Sequence, residues 1–192
     1  MKKLSIIIPV LNEQKCIVAR LNALQKLREA KCEIVLVDGG SDDQTVDLAI
    51  PLVDKFVHSS PGRAVQMNRG AELATGNIFL FLHIDTVLPK SANELIANLI
   101  AERSSVWGWF DLQFDNSSLL FKLISGSMNI RAAFTQVCTG DQTMFITRSL
   151  FESIQGFPEI PLMEDVAISK LLPRTSKPKR VSTKVTTSIR RW

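Results

Sequence analysis

Residues 80–86, Leu80-Phe81-Leu82-His83-Ile84-Asp85-Thr86, decide the fold. An unbroken apolar run of this kind is what a strand buried on both faces of a parallel sheet requires, and this one delivers a carboxylate at its end. A charge directly after Phe79-Leu80-Phe81-Leu82 cannot sit in the core, so Asp85 is expected at a solvated or metal-bound edge. An earlier run, Ile34-Val35-Leu36-Val37, likewise ends on Asp38, and Glu164-Asp165 adds two carboxylates further along. Strands of an open α/β sheet place their carboxyl ends side by side, and ligands settle in the crevice there. One pocket is therefore expected to collect all three acidic points.

Outward from this run, the first half of the chain alternates short β-branched segments with helical patterns, which argues for βαβ units and a largely parallel sheet. Residues 4–9 read as the first strand, and Asn12 as the cap of a helix carrying Ile17, Leu21, Leu24 and Leu27. Residues 33–37 form the second strand and open into Asp38-Gly39-Gly40-Ser41, where Ser41 and Gln44 read as a capping box. A brief strand at 55–58 precedes a helix over 63–74, which Gly76 is expected to end in the left-handed conformation. Beyond the central strand the order becomes mixed. A helix starts near Ser91 and Glu94, a strand with two usable faces spans 106–114, a helix covers 117–133, and a strand covers 143–147. Ser149 and Glu152 read as the cap of a short helix, and a helical run spans 163–172. A first half is expected at about 1–88 and a second half at about 89–192, within one domain.

Composition narrows the class. The 192 residues, 45% hydrophobic and 22% charged, describe one ordinary globular domain with a substantial core. The net charge of +4 is mild, yet residues 174–191 hold Arg174, Lys177, Lys179, Arg180, Lys184, Arg190 and Arg191. Such a tail reads as a solvated edge or as a contact for an anionic membrane surface or substrate. No recognised nucleic-acid module accompanies it, so nucleic acid is not an expected partner. Cys16, Cys32 and Cys138 lack CxxC spacing and read as reduced thiols. No signal peptide and no apolar stretch of about 20 residues is found, so the expected compartment is the cytoplasm, with peripheral contact at the inner membrane face through the basic tail.

The chemistry follows from these positions. Asp38, before two glycines, can accept a hydrogen bond from a base imide or a ribose hydroxyl, or serve only as a turn residue. Asp85 can hold a hard divalent ion, Mn2+ or Mg2+, that neutralises charge on a departing nucleotide diphosphate. His83 reads as a second metal contact or as a satisfied structural histidine, since these ions prefer oxygen. One of Glu164 and Asp165 can act as general base toward an acceptor hydroxyl, although acidic residues also suit a first helical turn on dipole grounds alone. Gly140-Asp141-Gln142 offers polar groups for a sugar.

Together these residues resemble the family 2 glycosyltransferases, inverting enzymes of the GT-A fold, and especially a small bacterial subgroup with a His-x-Asp metal motif. The resemblance spans nearly the whole chain. It runs through Ser5-Ile6-Ile7-Ile8-Pro9-Val10-Leu11-Asn12-Glu13, residues 33–42, Gly62-Arg63-Ala64, Gln66-Met67-Asn68, Gly70-Ala71, His83-Ile84-Asp85, Gly140-Asp141-Gln142 and Met163-Glu164-Asp165. It implies a three-layer α/β sandwich with a mostly parallel central sheet. It also implies that the first half, about 1–88, binds a nucleotide and that the second, about 89–192, is an acceptor half. Pro9, Glu13, Asp38 and Arg63 would line the pocket for a nucleotide-sugar donor, with UDP the expected carrier. Asp85 would hold the metal, with His83 where the family has its first aspartate. Asp165 would be the base, with Glu164 its neighbour. Gly140, Asp141 and Gln142 would meet a hydroxyl acceptor, lipid-linked or anionic. Ile189-Arg190-Arg191-Trp192 looks like the element that closes the site in processive relatives, which assigns Arg191 to the diphosphate and Trp192 to a sugar face.

Two competing readings are a nucleotidyltransferase and a nucleotide-sugar-binding protein without turnover. The first needs a glycine-rich, basic loop after strand one, and Pro9-Val10-Leu11-Asn12-Glu13 is neither.

Overall fold

The computed structural model describes residues 3–100, 105–172 and 176–191, with Arg191 described in its backbone alone. The alternation read from the first half is present: β1 (Leu4–Val10), α1 (Ile17–Glu29), β2 (Glu33–Asp38), α2 (Thr45–Ala49), β3 (Lys55–His58), α3 (Arg63–Leu73) and β4 (Ile78–Phe81). The second half follows as β5 (Thr86–Val87), α4 (Ala92–Ile100), β6 (Trp107–Phe114), α5 (Leu119–Thr135), β7 (Met144–Thr147), α6 (Arg148–Ser153), α7 (Glu164–Leu171) and β8 (Lys179–Thr187). All eight strands join one sheet in the order β3-β2-β1-β4-β7-β6-β8-β5. Strands β1 to β4 are mutually parallel, β7 runs against both β4 and β6, β8 runs with β6, and β5 runs against β8. The sheet is mostly parallel, as expected.

Side-chain alternation along each buried strand divides the interior in two. Ile6, Ile8, Ile34, Leu36, Ile78 and Leu80 face a core closed by Leu21 and Leu24 of α1 and Ile96 and Ile100 of α4. Ile7, Val35, Val37, Phe79 and Phe81 face the opposite core, closed by Met67 and Ala71 of α3, Phe151 of α6 and Ile168 of α7. Helices on both faces of one sheet make the three layers. Strand β6 also uses both faces, with Phe110 and Leu112 in the first core and Trp107 and Trp109 in the second.

Several sequence expectations are corrected. Residues 179–187 form strand β8 between β6 and β5, so half of the basic segment is part of the sheet. Its alternating charges concealed this: Arg180 makes a bidentate pair with Asp111 at 2.7 and 2.8 Å beside a register shift in β6. Asn12 does not cap α1, which starts five residues later. It lies at φ 55°, donates its amide to Ser41 Oγ at 2.9 Å, and accepts the Asp42 amide at 2.9 Å. Ser41 makes no capping box, because its hydroxyl is turned back onto Asp38. Gly76 is not left-handed. Its amide meets Ser5 Oγ at 2.9 Å, and a Cβ would lie 2.6 Å from the Lys3 carbonyl, so close approach is what requires glycine. Helix α6 begins at Arg148, ahead of the expected Ser149 cap.

Candidate active site

The loop that leaves β4 carries His83 and Asp85, and both are buried. Asp141 reaches them from a short 3-10 turn, Gly140–Gln142, just ahead of β7. One ligand atom from each of His83, Asp85 and Asp141 lies within 4.8 Å of the other two, and His83 Nδ1 is 3.5 Å from Asp141 Oδ1. An imidazole with two carboxylates is a donor set able to hold a divalent ion. Sequence reasoning placed His83 and Asp85 here but assigned Asp141 elsewhere.

The turn that carries Asp141 is held from several sides. Thr139 and Gln142 make a reciprocal capping box across it. Gln142 is fully buried, and its amide nitrogen donates to Asn129 Oδ1 at 3.3 Å, so its side chain supports the turn from inside the fold. Asn129 also exchanges two 2.9 Å bonds with the main chain of Leu112. Those bonds satisfy backbone groups beyond the last β6–β7 pair, Trp109 with Met144. Thr143 then turns at φ 50°, an uncommon conformation for a β-branched residue, before β7 begins. Gly140 packs so closely on His83 that a Cβ would lie 2.1 Å from Cε1 of the ring.

The acidic pair meets the same turn. Met163, at φ 67°, precedes Glu164 and Asp165 in the first turn of α7. Gly140 donates its amide to Asp165 Oδ2 at 2.6 Å, while Asp165 Oδ1 accepts the Val166 amide at 2.7 Å. Glu164 is buried, with Oε1 lacking a hydrogen-bond partner among the described residues, and lines a small cavity with His83, Gly140, Phe157 and Asp165. Asn68 on α3 holds the segment leading into α7, exchanging two 2.9 Å bonds with the main chain of Phe157. Cys138 also lines this cavity, but burial pushes its thiol up to about 12, so it remains protonated and inert.

Asp38 stands at the end of β2 and is not a member of the His83–Asp85–Asp141 group. Its carboxylate is fully buried and accepts the Gly40 and Ser41 amides at 3.0 Å and the Ser41 hydroxyl, with His58 Nδ1 at 3.2 Å. Burial alone would raise its pKa, but these hydrogen bonds together outweigh it and hold the carboxyl below its ordinary value. Pro9 pairs beside Val37, and Gln66 ties the strand ends together by donating to the Val10 and Val37 carbonyls at 2.9 Å. Arg63 is exposed at the first position of α3.

Glu13 begins the next loop, buried, and takes a 2.6 Å bond from Arg190 at the far end of the chain. Arg190 was legible only as part of the terminal arginine pair. Ser188 donates its amide to the Asp85 carbonyl at 3.1 Å, so the C-terminal segment borders both Asp85 and Glu13. Arg191 is described only in its backbone, and Trp192 lies outside the described residues.

Strand-end carboxylates with a histidine, on a mostly parallel sheet covered by helices on both faces, define a GT-A glycosyltransferase fold. A family model described as glycosyl transferase family 2 matches residues 5–153, and the chain belongs to that family. It is 31% identical over 171 residues to a PGL/p-HBAD biosynthesis glycosyltransferase of Mycobacterium bovis, an alignment covering 78% of this chain and 61% of the relative. The chain thus spans about three fifths of that relative's length. Among solved structures it is similar to S. aureus TarS 1-349, with a TM-score of 0.78 at 22% identity, covering 98% of this chain and 60% of the other; that protein was also solved with UDP. It is similar too to glucosyl-3-phosphoglycerate synthase from Mycobacterium tuberculosis in complex with Mn2+, UDP and phosphoglyceric acid. The TM-score there is 0.68 at 16% identity, with 97% of this chain and 69% of the other covered.

Proposed function

We propose that this chain transfers a sugar from a UDP-linked donor to a hydroxyl acceptor with inversion. The observation that carries the reading is the convergence of His83, Asp85 and Asp141 within 4.8 Å, bonded through Gly140 to Asp165. His83, Asp85 and Asp141 would hold Mn2+, or Mg2+ with less help from the imidazole. The ion would supply Lewis-acid neutralisation of the departing diphosphate. The UDP and Mn2+ named for the similar solved structures support this choice of carrier and metal.

Asp165 acts as general base in this reading. Its Oδ2 is oriented by the Gly140 amide and takes the acceptor hydroxyl proton as that oxygen attacks the anomeric carbon; the bond to the donor phosphate oxygen breaks in the same displacement. Glu164, buried beside it, keeps the cavity wall acidic and is the neighbouring candidate for that proton. Pro9, Glu13, Asp38 and Arg63 border the nucleotide, and Arg191 and Trp192 belong to the closing element. Asp38, already saturated by its own loop, contributes the shape of that loop more than a free carboxylate. Gly140 faces the sugar side beside Asp141, and Gln142 supports the turn from within. The acceptor is proposed to be lipid-linked, in keeping with the exposed apolar surface beside the acceptor half.

Calorimetric titration with UDP, GDP and CDP, each with and without Mn2+, tests the reading. Manganese-dependent binding of UDP is expected, together with release of UDP from a UDP-sugar when an acceptor is supplied. Metal-independent binding, or a preference for another base, would count against the site as assigned.

A further inference from the structure

Helix α5 buries one side and leaves the other uncovered among the described residues. Ser125, Asn129 and Ala132 are buried, and Phe121, Ile124 and Met128 pack against the core. Leu119, Leu123, Ile130 and Phe134, spaced by four and seven residues, share the opposite face, with Leu120 at its edge. They are exposed to between 58% and 86%, with Phe134 the most exposed. Burying these side chains in the fold would have been favourable, so large apolar side chains left in water along one face, interrupted only by Gly126 and Ser127, mark a contact surface.

The charges around the stripe identify what it contacts. The 17 residues of α5 contain no aspartate or glutamate. Lys122 borders the stripe on one margin and Arg131 on the other, both exposed. Lys184 of β8 shares a surface hollow with Lys122. The acidic side chain in that hollow, Asp115, accepts the Ile189 amide at 3.1 Å. An apolar stripe with basic margins is the arrangement of a helix lying in the plane of a membrane, its side chains among the acyl chains and its cations at the headgroups. A protein partner of ordinary composition has no comparable need for cations on both margins. No helix among the described residues is long and apolar enough to cross a membrane, so contact of this kind is lateral.

We propose that the exposed face of α5 docks on an anionic phospholipid bilayer. The helix ends at Thr135, five residues before Gly140, whose amide holds Asp165. A docked α5 therefore sets the turn at 140–142 near the headgroup plane. Exposed Leu162 and Met163, immediately ahead of Glu164, lie on the segment that enters the same site.

The surface is read from α5 and the neighbouring Lys184 of β8 and does not depend on the donor or the reaction, so it is tested without turnover. The purified full chain is sedimented with vesicles of phosphatidylcholine and of phosphatidylcholine with 30% phosphatidylglycerol. Binding to the anionic vesicles at least tenfold tighter than to the neutral ones is expected, weakening in high salt. Leu123→Glu with Phe134→Glu should lower that binding at least tenfold while leaving the melting temperature unchanged, because both side chains are exposed. Lys122→Ser with Lys184→Ser should reduce the preference for anionic lipid, Arg131 remaining on the other margin, and retain residual binding. Failure of the wild-type chain to sediment, or a Leu123→Glu/Phe134→Glu variant that sediments equally, would overturn the proposal. A dimer in light scattering that this variant dissolves would assign the face to a second copy and equally overturn it.

Discussion

The main-chain amide of Gly140 donates a 2.6 Å hydrogen bond to Asp165 Oδ2, joining the first turn of α7 to the turn that carries Asp141. The acidic pair and the histidine–aspartate cluster are thereby one mechanical unit, although 25 residues separate the bonded pair. Gly140 also packs against His83 with no room for a methyl group. Gly140→Ala should displace the imidazole and lengthen the bond to Asp165 together. We expect manganese-dependent UDP binding to weaken tenfold or more in calorimetry, with near-native circular dichroism; unchanged affinity would show that His83 is not a ligand.

Asp165→Asn keeps the size of the side chain and removes its capacity as a base. Loss of a general base lowers turnover by about 10²–10⁴-fold. Transfer should fall by that order while donor affinity stays within about threefold. If Glu164→Gln produces the larger loss instead, the base is Glu164.

Asp141→Asn and Asp85→Ala should both raise the Mn2+ concentration needed for half-maximal UDP binding, Asp85→Ala the more strongly. A normal Mn2+ requirement in Asp141→Asn would return Asp141 to the acceptor side.

The parallel strands and the covering helices were legible because long apolar runs and helical spacing need no partner to be recognised. The His83–Asp85 loop was legible for the same reason: a carboxylate after four apolar residues has few places to go. Strand β8 was not, since its outward positions are Lys, Arg, Ser and Thr, which resemble a solvated tail until Asp111 is seen beside Arg180. The approach of Asp141 to His83 was not legible, because it depends on a β4–β7 pairing that no local pattern encodes. The left-handed residues Asn12, Thr143 and Met163 carry no glycine signal, yet each sits one or two residues from a candidate site side chain.

At the opposite end of the sheet from the site, Glu33 accepts bonds from Ser5, from the Thr75 amide and hydroxyl at 2.7 Å, and faces Lys55 at 3.2 Å. Burial acts to raise its pKa, but these contacts lower it to about 2 from the ordinary 4.5. A lowered folded-state value stabilises above the unfolded pKa, and that stability is lost as pH falls through the folded value. Urea unfolding should therefore show stability dropping between about pH 4.5 and 2, by on the order of 3 kcal/mol from this group. Glu33→Gln should be less stable at pH 7 and flatter across that window.

Asn129→Ala would leave the Leu112 amide and carbonyl buried without partners. The expected cost is about 2–6 kcal/mol in chemical denaturation, from two orphaned groups at about 1–3 kcal/mol each. Metal-dependent UDP binding should weaken as well, because Gln142 loses its support beneath Asp141.

The antiparallel pairing of β5 with β8 imposes an order of assembly during synthesis. Thr86, directly after Asp85, shares a side-chain hydrogen bond with Thr187, 101 positions later in the chain. Ribosomes elongate at about 5–20 residues per second, so the Asp85 loop waits about 5–20 s after its own translation for the strand that closes it. Strands β1 to β4 pair within the segment already made, and their helices cover them early. A nascent chain therefore holds a paired β1–β4 half and an open Asp85 loop, which gains its Thr86–Thr187 bond only once β8 has been made.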